Sequence, residues 1–259
     1  MISPDKNSAL VIGHPGHELR VFHWLEIMRP AVFVITDGSG RYGCPRLPST
    51  TRILDQAGAS RGSFYGPITD GEAYRAILSH DFDLFGGMMH GLAQHLIEHG
   101  TSCVVGDAFE GYNPTHDACR LVIDAAVEMV YRTTGRAVEN FEFALTGRPD
   151  DQGVSDANQI IRLELDDDAF ARKMDVAQSY AELEAEVNDA IALNRLDAFR
   201  TECLRRIPRA MPMPPANHKP YYEQYGERRV SSGHYRQVIR YREHLLPLAE
   251  ALRGEVEQS

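Results

Sequence analysis

Two histidines three residues apart, His14 and His17, follow directly on the apolar run Ala9-Leu-Val-Ile12. Neutral imidazole is the commonest metal ligand among side chains, and a pair held in a short turn needs a further ligand from elsewhere in the chain. His116 is placed to supply it, at the start of an expected helix that follows a second apolar run, Ser102-Cys-Val-Val-Gly106. Three neutral imidazoles with one open position resemble the protein half of a catalytic zinc site, where a bound water is made acidic. The spacing admits a second reading, in which His14 caps the turn and His116 the helix. His95 and His99 also lie four apart, but Glu98 does not complete a His-Glu-x-x-His pattern, and a solvated helix face accounts for them.

The elements that must position these side chains read as a parallel α/β sheet. A short apolar run closed by Gly13 and Pro15 is a buried strand; residues 18–28 read as a helix, and Ala31-Val-Phe-Val-Ile35 as a second strand. Strand, helix, strand in about thirty residues is a right-handed crossover between parallel strands. Thr36, Asp37 and Gly38 then fall beside the histidine loop at the carboxyl edge of the sheet, where ligands bind in such folds. Thr50 or Thr51 could cap a helix to Gly58, Ser63 to Tyr65 reads as a brief strand, and residues 73–79, 84–99 and 115–131 read as helices.

Beyond residue 139 the pattern changes. Asn140–Thr146 and Ile161–Leu165 alternate polar and apolar residues and are expected to pair as a hairpin. A long acidic helix is expected over 169–193, its carboxylates forming a solvated face. Five prolines between Pro208 and Pro220 read as an extended linker, followed by the aromatic stretch Tyr221 to Tyr225 and a helix over 234–253. The expected architecture is therefore a Rossmann-like, mostly parallel sheet flanked by helices over residues 1–165, with a helical C-terminal extension over 166–259 that contains the linker 208–220.

Composition sets outer bounds. With 37 acidic against 27 basic side chains in 259 residues, a net charge of −10 argues against nucleic acid or an anionic membrane as partner. Four cysteines without Cys-x-x-Cys spacing fit a reducing, cytoplasmic setting. No run of about 18 apolar residues offers a membrane span, and the first residues lack the features of a signal peptide.

His14-Pro15-Gly16-His17-Glu18 resembles the His-Pro-Asp-Asp-Glu signature of the PIG-L/LmbE-like deacetylases, and Asn113-Pro114-Thr115-His116 resembles their second signature, His-Pro-Asp-His. Thr36-Asp37-Gly38 and Arg52-Ile-Leu-Asp55 match the family's order of elements. The resemblance spans roughly residues 8 to 132. It implies a divalent metal, usually zinc, held by His14, His17 and His116, a histidine standing where the family has a carboxylate. It also implies losses. The family's general base falls on Gly16, its oxyanion-stabilising histidine on Asn113, and the aspartate supporting that histidine on Thr115.

Replacements are near at hand. Glu110, Asp107 and Glu18 are candidate bases, Asn113 keeps an amide donor for a carbonyl, and Asp37, Arg52 and Tyr112 are candidate substrate contacts. The implied activity is zinc-dependent removal of an N-acyl group from an amino sugar or similar small polar metabolite. The changed residues leave room for a metal-dependent lyase, or for a metal-stabilised binding protein without catalysis. The acidic helix and the Tyr221 to Tyr225 stretch would cover the cleft or form the contact of a homo-oligomer.

Overall fold

The computed structural model describes residues 7–40, 43–149, 159–209 and 219–258. Its centre is a seven-stranded sheet of order β3-β2-β1-β4-β5-β7-β6. The strands are β1 (Ser8–Ile12), β2 (Ala31–Thr36), β3 (Ser60–Ile68), β4 (Cys103–Asp107), β5 (Glu139–Phe143), β6 (Ile160–Glu164) and β7 (Thr201–Arg206). The first five run parallel, and β7 is antiparallel to both its neighbours.

The α/β class expected from the sequence is the one observed, and the period of the strands explains it. Along β1, Ala9 and Val11 join one apolar cluster while Leu10 and Ile12 join another. Successive side chains point to opposite faces, so a continuously apolar strand needs helices on both. One face carries α4 (Asp83–Glu98), α5 (Pro114–Thr134) and α9 (Leu246–Gln258). The other carries α1 (Phe22–Met28), α2 (Leu47–Ala57) and part of α6 (Asp167–Gln178). Gly106 permits β4 to lie close to β1: a Cβ there would sit 2.6 Å from the Val11 carbonyl oxygen and 2.3 Å from Ile123 Cδ1. The remaining helices are α3 (Asp70–Ser79), α7 (Glu184–Asn194) and α8 (Tyr221–Ser231).

Several expectations are corrected. β5 and β6 are not a hairpin, because β7 lies between them, pairing Glu142 with Arg205 and Leu163 with Glu202. The sheet therefore crosses the expected boundary at 165/166, and the later segment is not a purely helical extension. The single helix over 169–193 is two helices, α6 and α7. The break falls at Tyr180, which is fully buried with its hydroxyl 3.0 Å from Thr50 Oγ1 and 3.2 Å from the Arg46 carbonyl. Strand β3 is nine residues long rather than three, and α2 starts at Leu47, ahead of Thr50. Tyr221 to Ser231 is helical, whereas the helix expected over 234–253 begins with a π turn at Tyr241–Leu245 and continues as α9. Most of the proline-rich segment, residues 210–218, lies outside the described residues.

Candidate active site

In an open sheet the cleft forms where the strand order reverses. Here that is between β1 and β4: β1 is followed by β2 on one side, and β4 and β5 extend the sheet on the other. The loop after β1 carries His14 and His17, and α5, entered from β4, carries His116 in its first turn. All three imidazoles meet at this point. Ring centroids are 5.3 Å apart for His14 and His17, 5.1 Å for His14 and His116, and 4.6 Å for His17 and His116, each pair edge-on.

Carboxylates set the orientation of two rings. Asp70 Oδ1, at the start of α3, lies 2.8 Å from His14 Nδ1 and also accepts from Thr36 Oγ1 at 2.5 Å. Asp107 Oδ2, at the end of β4, lies 2.9 Å from His17 Nδ1 and accepts the Gly13 N–H at 2.8 Å. A carboxylate that accepts from Nδ1–H leaves Nε2 as the lone-pair nitrogen. His14 Nε2 is buried with no partner among the described residues, and so is His116 Nδ1. Burial, then the neighbouring imidazoles, hold His17 and His116 well below the usual histidine range. Both rings are thus neutral near pH 7, the form that binds metal.

Around the rings lies a cleft of about 890 Å³, lined by His14, His17 and His116 together with Asp70, Tyr74, Tyr112 and Asn113. Asn113 caps α5, accepting the Thr115 N–H at 2.8 Å. Burial opposes the charge of Asp70, but bonds from His14, Thr36 and the Gly40 amide outweigh it and hold this carboxyl well below the usual range. Among the described residues no three His, Cys, Asp or Glu side chains are already drawn together as a metal shell.

The other candidate bases do not line this cleft. Asp107 is fully buried behind His17, and burial pushes it up to about 7. Glu18 is fully buried as well, accepts the Gly16 N–H at 2.7 Å and the Thr50 hydroxyl at 2.7 Å, and is pushed by burial to about 7. Glu110 is occupied by the amides of Leu145 and Thr146 and by Thr146 Oγ1 at 2.9 Å. These three carboxylates position loops and the His17 ring. Asp37 accepts the Ser39 N–H within its own loop, and Arg52 donates to the Ser179 carbonyl at 2.8 Å, so neither faces the cleft. Tyr112 and Asn113 do.

Sequence reasoning missed Asp70, Tyr74 and Arg46, all of which line the cleft. Only Asp70 left a local signal. Thr69-Asp-Gly-Glu72 is a capping box at the start of α3, placed after a strand where the earlier loops had carried chemistry.

Gly16 has φ +106°, and a Cβ on it would stand 2.2 Å from Leu183 Cδ1. The space a side chain would need is occupied by an apolar group from the segment leading into α7. Gly16→Ala is expected to cost about 1–3 kcal/mol from backbone strain, plus the displacement of Leu183. In a Leu183→Ala background the contact part should vanish and the strain remain, which denaturant titration of the four proteins would resolve.

The fold and the site define an α/β protein with a three-imidazole cleft at the switch point of its sheet. This is the fold of the PIG-L/LmbE-like deacetylases. The A40926 pseudoaglycone deacetylase Dbv21 is similar with a TM-score of 0.52 at 17% identity, over 80% of this chain and 99% of that one. The zinc-inhibited form of teicoplanin deacetylase Orf2 gives 0.50 at 13% identity, over 78% and 99%. The conserved protein TT1542 from Thermus thermophilus gives 0.51 at 13%, over 82% and 100%. No family model and no curated protein matches the sequence. Among the described residues no helix is long and apolar enough to cross a membrane.

Proposed function

We propose that the protein is a metal-dependent hydrolase that removes an N-acyl group from an amino sugar or a similar small polar metabolite. The convergence of three imidazoles in the switch-point cleft, two of them backed by carboxylates, carries this reading. The three ring centroids lie 4.6 to 5.3 Å apart, a cluster of the nitrogen donors that zinc prefers. His14 Nε2 and His116 Nδ1, without partners among the described residues, are donors in want of an acceptor of their lone pairs. Zinc fits this set, and a related fold has been described in a zinc-inhibited form. Bound there, it would polarise an acyl carbonyl and acidify a water.

The protein's own groups divide the remaining work. Asp70 and Asp107 fix the tautomer and tilt of His14 and His17. Asn113 has its oxygen committed to the α5 cap and one amide N–H engaged by the Tyr74 hydroxyl oxygen, which leaves its second N–H to donate toward a substrate carbonyl. Asp70 is held too acidic to be a strong base, so the acidity of the attacking water would have to come from a metal held by the imidazoles. Asp70→Asn is expected to weaken metal retention about 10–100-fold, measured by competition with a chelator.

One observation favours a second reading. With Leu183 over Gly16 and with Glu18, Asp107 and Glu110 turned elsewhere, no carboxylate among the described residues stands at the family's base position, as a metal-assisted lyase would tolerate. Product analysis separates them. Release of one carboxylate and one free amine per turnover supports the hydrolase; turnover without a released carboxylate overturns it in favour of the lyase.

A further inference from the structure

The cleft is built in two halves of opposite character. One wall is phenolic: Tyr74, Tyr112 and Tyr235 line it, and Tyr112 lies parallel to Tyr221, with centroids 5.2 Å apart and planes 4° from parallel. Sugar rings pack their C–H faces on such aromatic surfaces while the hydroxyls remain available for hydrogen bonds. The other wall is aliphatic. Leu183, Val187, Ala190 and Ile191 recur at intervals of three and four residues and line the same cleft. Met174 and Ala177 from α6 broaden it.

This stripe begins at the imidazoles. Leu183 fills the space over Gly16, between the two metal-binding candidates of the first loop. From there to Ile191 the wall runs about 12 Å, at 1.5 Å per helical residue, enough to lie along a chain of about eight carbons. Val187 and Ile191 are only partly buried, and Leu193 at the far end is 81% exposed. An acetyl group would touch only the first of these side chains; Val187, Ala190 and Ile191, whose inner faces pack on the core, would keep their outer faces in water. Cleft size points the same way, since about 890 Å³ lies near the top of the range for sites that enclose drug-sized ligands.

Resting on the hydrolase reading, we propose that the substrate is an amphiphile whose acyl group is a medium-length alkyl chain. The chain lies on the α7 stripe, and the polar amine-bearing part lies on the tyrosine wall. The scissile amide falls between them, at the imidazoles. Glu186 and Asp189, which also line the cleft from α7, disfavour an acidic tail on that chain.

Binding tests this without turnover. Calorimetry of the purified protein with N-acetyl- and N-octanoyl-glucosamine, below micellar concentration, is expected to give at least about 30-fold tighter binding of the octanoyl compound, with a negative heat-capacity change. Ile191→Glu and Val187→Glu, on a helix face already in contact with water, should each collapse that ratio towards one. Equal affinity of the two sugars, or an octanoyl advantage that survives both substitutions, overturns the proposal. A tight octanoyl complex that is never hydrolysed would instead count against the hydrolase and leave the chain-binding wall supported.

Discussion

Replacing His116 with alanine is expected to strip the metal from the purified protein and to lower turnover on the order of a thousandfold or more. The size follows from the several kcal/mol that a Lewis acid contributes to a charged transition state, at about 1.4 kcal/mol per factor of ten. The ring is lost from the first turn of α5, where Nδ1 has no partner among the described residues, so no buried charge is stranded and the circular dichroism spectrum should stay unchanged. Elemental analysis and activity on one preparation read both effects. A full complement of metal in the variant would mean that the ion is held elsewhere.

The second large effect concerns stability. Glu202 in β7 is fully buried; it receives the Lys173 ammonium at 2.8 Å and the N–H groups of His23 and Trp24, each at 2.9 Å. It thereby ties β7 to α6 and to the start of α1. Glu202→Ala strands the Lys173 charge and two amides, and is expected to cost about 3–5 kcal/mol, read as a lower denaturation midpoint with the slope unchanged. Lys173→Met combined with Glu202→Gln removes both charges and keeps an acceptor for one of the two amides, and should recover part of the loss.

The pair also has a pH signature. Burial lowers Lys173 below its usual value despite the attraction of Glu202. The unfolded chain therefore takes up this proton first as pH falls from about 10.5. Wild-type stability, measured against the double variant, should rise as pH climbs through the lowered folded value of Lys173 towards about 10.5.

What the sequence made legible follows the range of the forces involved. The βαβ start, the strand-end turn with His14 and His17, and the helix beginning near His116 depend on local period and punctuation, and the structure has all three. β7 escaped notice because Thr201-Glu-Cys-Leu-Arg-Arg206 carries a buried glutamate at an interior position, made tolerable only by a lysine from another element. With β7 unseen, β5 and β6 looked like natural neighbours. The break before α7 has no Pro or Gly to announce it, since Tyr180 is drawn into the core by contacts with Thr50 and Arg46.

The site divides in the same way. The imidazoles were visible as types at a spacing. Their carboxylates were not, because Asp70 meets His14 across 56 residues of chain and Asp107 meets His17 across 90. Glu110 and Asp107 were reasonable candidate bases by proximity in sequence, yet the fold gives one to a loop and the other to the back of the His17 ring.

Glu164 at the end of β6 pairs with Thr201 at the start of β7, and the Leu165 N–H donates to the Arg200 carbonyl at 2.8 Å. Everything between, including Leu183 and the α7 stripe, leaves the sheet and returns to it at one paired couple. The cleft wall that carries Leu183 and α7 is thus an insert between β6 and β7, while the imidazoles sit outside it, on the loop after β1 and the first turn of α5. Changing Val187, Ala190 and Ile191 while keeping Lys173 and Tyr180, which anchor the insert to Glu202 and Thr50, would alter this wall of the cleft without moving the imidazoles, a division of labour that lets specificity drift while chemistry stays put.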